Sequence, residues 1–133
     1  MSSILALDVG EKRIGVAIAS TVAKLARPLV TINNDEHILE AIQQILVEED
    51  VSTLVVGLPR NLAGEDTDQT TYVRQFTEKL RHDVIRFQDE ALTSKKAEME
   101  LRQIGKPYSK GDIDSLAATY ILEDYLRQHG VQS

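Results

Sequence analysis

The sequence predicts an α/β fold in which a mixed five-stranded sheet carries helices on both faces. Three features of the apolar pattern support this. Two short apolar runs joined by a tight turn near the N-terminus read as a hairpin. The run Thr53 to Leu58 is almost wholly apolar, as in a parallel strand covered on both faces. Around it, segments of helical periodicity alternate with strand-like runs, the mark of right-handed crossovers.

Taken in order, Ile4 to Asp8 is a strand that turns polar at its end, and Ile14 to Ala19 is its hairpin partner. Gly10 between them is expected to take the positive φ of a tight turn. Leu29 to Ile32 forms a third short strand. Asn34 is then expected to cap a helix, with Asp35 and Glu36 at the positive end of its dipole. Its inner face is Ile38, Leu39, Ile42, Ile45 and Leu46. Thr53 to Leu58 is the fourth strand, with Gly57 and Pro59 marking its end. Residues 60 to 66 form a polar loop around Asn61 and Gly64. Thr67 caps a second helix that turns Val73, Phe76 and Leu80 inward, and Val84 to Phe87 is the fifth strand. Leu92 to Ile104 is a third helix, ended by Gly105 and Pro107. The last helix starts near Ser109 and runs to about His129. The expected order is β-β-β-α-β-α-β-α-α in one domain, residues 1 to 133, without repeats or linkers.

Composition narrows the function classes. The chain is 42% hydrophobic and 27% charged, as an ordinary globular protein is. It has no cysteine, which excludes disulfides, a thiolate zinc site and a cysteine nucleophile. Without a long apolar run or a signal-peptide pattern, the expected location is the cytoplasm, with no membrane partner. The net charge of −6 argues against nucleic-acid binding over the whole surface, so any such contact needs a local basic patch.

Ligand sites in such sheets lie at the carboxyl ends of the strands. Asp8 and the Asp89-Glu90 pair fall at such ends. Strand alternation puts Ile4, Ala6 and Asp8 on one face, so Asp8 stands beside a core and needs a cation or strong donors, unless it only starts the turn at Gly10. Asp89 and Glu90 alone could be solvated loop acids. Asp114 is more telling. On a helical wheel Ile113, Ala117, Ala118, Ile121, Leu122 and Tyr125 form a broad apolar arc with Asp114 near its middle. Asp112 falls opposite, with Thr119 and Glu123, and Ser109-x-x-Asp112 has the form of a capping box. Asp112 therefore has a local explanation, whereas Asp114 must pair with a base or bind metal. An internal arginine or lysine on Asp114 would leave no place for metal. Asp8, Glu90 and Asp114 can converge on one edge. Such an all-oxygen set suits magnesium or manganese, whose chemistry cleaves phosphodiesters. In that arrangement Asp8 would bridge two ions, with Glu90 and Asp114 each on one side.

Four segments carry a family resemblance: Leu7-Asp8-Val9-Gly10-Glu11-Lys12-Arg13-Ile14-Gly15-Val16-Ala17, then Val55-Val56-Gly57-Leu58-Pro59-Arg60-Asn61-Leu62-Ala63-Gly64, then Asp89-Glu90-Ala91-Leu92-Thr93-Ser94, then Lys110-Gly111-Asp112-Ile113-Asp114-Ser115-Leu116-Ala117-Ala118. In this order they resemble the YqgF/RuvX family of RNase H-like proteins over nearly the whole chain. The resemblance implies an RNase H-like fold shared with RuvC-type Holliday junction resolvases. It also implies a cytoplasmic location and a role in maturing the 5′ end of the small-subunit ribosomal RNA precursor, with junction DNA as the other substrate described for the family. It maps the family's three acidic positions onto Asp8, Glu90 and Asp114. Where the third motif usually carries arginine, this chain has Ala91, which bears on phosphate binding.

The basic residues add a nucleic-acid surface. Lys12 and Arg13 lie in the hairpin after Asp8, and Lys95, Lys96, Arg102, Lys106 and Lys110 cluster between the second and third acidic positions. They could track a phosphate backbone, or they could form a solvated helix face. Asn61 in the 60 to 66 loop could approach substrate or only connect elements. His37, His82 and His129 are isolated and receive no role, and Tyr72, Tyr108, Tyr120 and Tyr125 are not arranged as a stacking platform. The expectation is a metal-dependent endonuclease, a monomer or weak homodimer, acting on precursor ribosomal RNA or branched DNA. One rival is a non-catalytic nucleic-acid-binding scaffold. The other is an actin- or sugar-kinase-like phosphate-binding domain, since Asp8-x-Gly10-x-x-x-x-Gly15 resembles that superfamily's first phosphate loop. Those proteins need two such domains to enclose a nucleotide.

Overall fold

The computed structural model describes residues 2–90 and 93–129, the side chains of residues 93–96 excepted. Its elements follow the expected order: β1 (Ser3–Val9), β2 (Arg13–Ser20), β3 (Arg27–Asn33), α1 (Ile38–Glu48), β4 (Val51–Pro59), α2 (Asp68–Glu78), β5 (Ile85–Glu90), α3 (Thr93–Ile104) and α4 (Lys110–Gln128). The sheet order is β3-β2-β1-β4-β5. β1 pairs antiparallel with β2, and β2 with β3. β1 pairs parallel with β4, and β4 with β5. Because β1, β4 and β5 run the same way, their carboxyl ends share one edge of the sheet.

Strand alternation sorts the core into two layers. On one face Leu5, Leu7, Val9, Ile14, Val16, Leu54 and Val56 pack under Ile38, Ile42 and Leu46 of α1 and Val73 and Phe76 of α2. On the other face the sheet presents small residues, Ala6, Ala17 and Ala19 with Val55, against Ala118, Ile121, Leu122 and Leu126 of α4. Short side chains there let α4 lie close to the sheet. α3 covers the far side of α4 through Ala97, Ala117 and Tyr120. This second layer of packing explains why α4 has so broad an apolar arc.

Several boundaries and local roles differ from expectation. Asn34 does not cap α1. The helix begins at Ile38, its N-cap is His37 without a side-chain cap bond, and Asp35 accepts from the His37 backbone instead. The Asn34 amide donates to the Gly10 carbonyl and to Tyr72 Oη, bracing the β1–β2 turn against α2. Gly10 does not take a positive φ, which among the described glycines occurs at Gly64 and Gly105. It is needed for close approach, since a Cβ there would stand 2.7 Å from the Arg13 carbonyl oxygen. β4 ends at Pro59 as expected but begins at Val51, two residues before its expected start. β3 and β5 are longer than their apolar runs, because ladder bonds extend into polar residues. Thr119, expected on the outer face of α4, is buried, and its hydroxyl is satisfied by the Ser115 carbonyl.

Two expected caps are present. Thr67 forms a capping box with Thr70, and Ser109 forms one with Asp112. The second fixes the start of the helix that carries Asp114. Ser109→Ala is therefore expected to cost about 1 kcal/mol in denaturant unfolding. A midpoint unchanged from wild type would remove the cap from the account of how α4 starts.

Candidate functional site

Asp8 lies near the carboxyl end of β1, on the face covered by α4. Ile4 and Ala6, four and two residues earlier, belong to the core layer under that helix. In the hairpin register Asp8 stands opposite Gly15. A Cβ on Gly15 would fall 2.0 Å from the Asp114 carbonyl oxygen and 2.8 Å from the Ser115 nitrogen. The backbone of α4 thus crosses β2 directly over Gly15, and only a glycine allows it. That crossing sets Asp114 beside Asp8. On the other side, a Cβ on Gly57 would meet Ile121 Cδ1 at 2.5 Å and Glu90 Cγ at 3.1 Å. Glu90 ends β5 opposite Pro59 and reaches inward over Gly57. Two mid-strand glycines therefore open the space that the three acids enter.

Asp8, Glu90 and Asp114 line one open pocket of about 250 Å³, with Arg13, Pro59 and Gln69 on its walls. Burial pushes the Asp8 carboxyl well above its usual range, and the charges of Glu90 and Asp114 and a hydrogen bond with Glu90 push it the same way. Asp114 has a cationic partner: Arg13 Nε donates to its Oδ2 at 2.7 Å. Of the two outcomes open to a carboxylate in an apolar stripe, the structure shows the pair with a base. Arg13 is not internal, however. Its side chain is 33% exposed, and that of Asp114 is 20% exposed, so the pair sits at the pocket rim.

Among the described residues no three His, Cys, Asp or Glu side chains already stand as a ligand cage. The donor chemistry still fits a divalent cation. Two oxygen-only groups, Glu90 and Asp114, flank the half-buried Asp8 carboxylate, and their charges oppose its ionisation. A hard cation is the partner that would relieve all three. Side-chain rotation at Glu90 and Asp114 would be needed to close around it.

The other expected residues are less concentrated. Lys12, Arg102, Lys106 and Lys110 are exposed and do not line the pocket. Arg102 is held by Glu98 and Tyr108. Asn61 spends its side chain on its own loop, accepting from the Ala63 and Glu65 backbones. The side chains of Lys95 and Lys96, and Ala91 altogether, lie outside the described residues. Asp89 pairs with Arg60, and Asp112 completes the capping box by accepting from the Ser109 backbone. His37 is exposed, His82 meets the Ser52 carbonyl, and His129 stacks on Tyr125, so none of the histidines enters the site.

Two pocket features were not legible beforehand. Gln69, in the first turn of α2, reaches the pocket wall and donates to the Val9 carbonyl. Arg13 was expected to face nucleic acid, not Asp114. For Gln69 no sequence signal existed. For Arg13 the signal was its place five residues after Asp8 in a hairpin whose register carries it back to the same edge.

Comparison with known proteins agrees with this layout. A family model described as "RuvX: Holliday junction resolvase" matches residues 2–128. A protein of Sulfurihydrogenibium sp. (strain YO3AOP1) named "Putative pre-16S rRNA nuclease" is 43% identical, covering 95% of this chain and 90% of its own. A protein of the same name from Chloroflexus aurantiacus (strain ATCC 29366 / DSM 635 / J-10-fl) is 45% identical, covering 92% and 85%. Among solved structures, T. thermophilus RuvC in complex with Holliday junction substrate matches with a TM-score of 0.54 at 14% identity over 98% of both chains. The fowlpox virus Holliday junction resolvase matches with 0.54 at 12% identity, over 95% of this chain and 99% of that one. These backbones share the mixed sheet with helices on both faces, the RNase H-like fold expected from the motifs. With a family model spanning almost every residue and relatives above 40% identity, the chain belongs to the RuvX family.

Proposed function

We propose that this protein is a divalent-metal-dependent endonuclease that hydrolyses phosphodiester bonds in structured nucleic acid, acting in the cytoplasm on the precursor of small-subunit ribosomal RNA. The observation that carries this reading is the meeting of Asp8, Glu90 and Asp114, from three distant stretches of chain, in one open pocket at the carboxyl edge of the sheet. Membership of a nuclease family supports it, as do the names of the relatives. Asp8, Glu90 and Asp114 would hold magnesium or manganese, which when bound supplies an activated water and stabilises the leaving oxygen. The chain's own residues do the rest. Asp8 is fixed by β1 and half-buried in the pocket, Glu90 reaches in over Gly57, and Gln69 braces the pocket wall by donating to the Val9 carbonyl. Lys12, Lys106 and Lys110 supply the positive charge that an otherwise acidic surface needs to draw a polyanion to this edge.

Junction DNA is the second reading, favoured by the description of the family model. A paired assay separates the two. Purified protein with magnesium or manganese is expected to cut precursor ribosomal RNA at a defined 5′ position and junction DNA more slowly. Cutting of junction DNA alone would transfer the assignment to branched DNA. Cutting of neither would reject the nuclease reading.

A further inference from the structure

The pocket holds a cation of its own, and its position assigns it a role. Arg13 opens β2, and its backbone is held on both sides. Its carbonyl accepts from Gly10, and the strand pairs it with Asn33 of β3. From that fixed root the guanidinium reaches Asp114 on α4, 101 residues away in sequence, with a 2.7 Å Nε–Oδ2 hydrogen bond. It is the only Lys or Arg lining the pocket among the described residues. Arginine stays protonated at any physiological pH. The bond therefore places a permanent positive charge on an oxygen of Asp114, where a divalent cation would need to bind.

We propose that Arg13 is an exchangeable counter-ion. It holds Asp114 in place against the other two carboxylates, yields it to the divalent cation, and then turns its freed guanidinium to a phosphate of the substrate. The proposal rests on the metal-dependent reading above. Three features support exchange rather than a permanent bridge. The bond is a single contact through Nε and not a bidentate fork, so less is lost when it opens. The pair is partly exposed, where such bridges contribute little net stability. Arg13 lines the same open pocket as the acids, so a phosphodiester entering it meets the guanidinium beside them. Thermodynamic linkage then follows. Metal and substrate compete for opposite ends of one ion pair, so each raises the affinity for the other, with Arg13 as the coupling element.

The test is a calorimetric titration of manganese into the wild type, Arg13→Gln and Arg13→Lys, followed by binding of a nuclease-resistant RNA duplex in chelator and in calcium. Arg13→Gln is expected to bind manganese about fivefold more tightly, because the competing cation is gone. Its RNA affinity is expected to match wild type in chelator but fall about tenfold in calcium, with a salt dependence shallower by about one phosphate contact only there. Arg13→Lys keeps the charge and is expected to stay near wild type in both. Weaker manganese binding by Arg13→Gln would overturn the proposal and make the bridge a support for the metal site. Equal loss of RNA affinity with and without calcium would also overturn it, as a simple phosphate contact. Absence of manganese binding by the wild type would overturn both this proposal and the reading beneath it, whereas normal wild-type binding with an unchanged Arg13→Gln would overturn this one alone.

Discussion

Asp8→Asn is expected to abolish cleavage, by at least about a thousandfold, and at the same time to raise the melting temperature of the protein in chelator. The two effects share one cause. Asp8 is half-buried beside Ala6 and faces Glu90 and Asp114, and desolvation and the two neighbouring charges oppose its ionised form in the folded chain. Its carboxyl is held above its usual value near about 4, and the sign of the pH dependence follows. Below that pH the side chain is protonated both folded and unfolded, and it costs nothing. As pH rises through the unfolded value, the unfolded chain releases the proton first, and stability drains until the folded value is passed. The wild type and Asp8→Asn should therefore melt together near pH 4, with the wild type falling progressively below the variant toward neutral pH. Added magnesium should reverse the order. At a hundred times its dissociation constant it would stabilise the wild type by about 2.7 kcal/mol and Asp8→Asn by about 1.4 kcal/mol or less. Wild-type cleavage by Asp8→Asn would remove Asp8 from the chemistry. A variant that melts below the wild type in chelator at pH 7 would contradict the electrostatic picture of the pocket.

The second large effect belongs to a residue with no functional group. Gly15→Ala would bring a methyl within 2.0 Å of the Asp114 carbonyl oxygen and 2.3 Å of its carbon. Both are backbone atoms, so no rotamer change relieves the clash, and α4 must move off the sheet. That opens the layer between Ala6, Ala17 and Ala118. The expected cost is about 3 kcal/mol or more, a fall of roughly 10 °C in melting temperature. Asp114 moves with the helix, so metal binding and cleavage should fall by about a hundredfold even where the variant remains folded. Circular dichroism melts and a manganese titration at low temperature measure the two losses separately. A wild-type melt would mean that α4 does not cross β2 at Gly15.

Much of the fold was written in local patterns. Period-two alternation in β1, the continuous apolar run of β4 and the wheel of α4 are all direct consequences of which faces are buried. So are the two capping boxes at Thr67 and Ser109, because hydroxyl-to-backbone bonds are local in sequence. What failed was non-local. Asn34 looked like an N-cap by residue type, but its amide was claimed by Gly10 and by Tyr72, which sequence spacing cannot foresee. Thr119 looked external until α3 and the sheet enclosed α4 on opposite sides. The same division holds for the site. The three acids were legible as two strand ends and one carboxylate misplaced in an apolar arc. Of the glycines that admit them, Gly57 read as a strand-end marker and Gly15 as part of a phosphate-loop pattern, since their role is to accommodate backbone and side chains that arrive from far along the chain. Arg13 read as a surface cation because its partner lies 101 residues away. The actin- or sugar-kinase-like reading drew on Gly10 and Gly15. In this structure Gly10 serves the close approach of its own hairpin, and Gly15 admits a helix.

Asp8, Glu90 and Asp114 are expected to act as one cation site. This is tested most directly by calorimetric titration of manganese into the wild type and into Asp8→Asn, Glu90→Gln and Asp114→Asn, each checked for native melting. The wild type is expected to bind saturably and every single variant to lose at least about tenfold in affinity, because each removes one ligand from a shared ion. Wild-type affinity in all three variants would contradict it, since the ion would then be bound elsewhere or not at all.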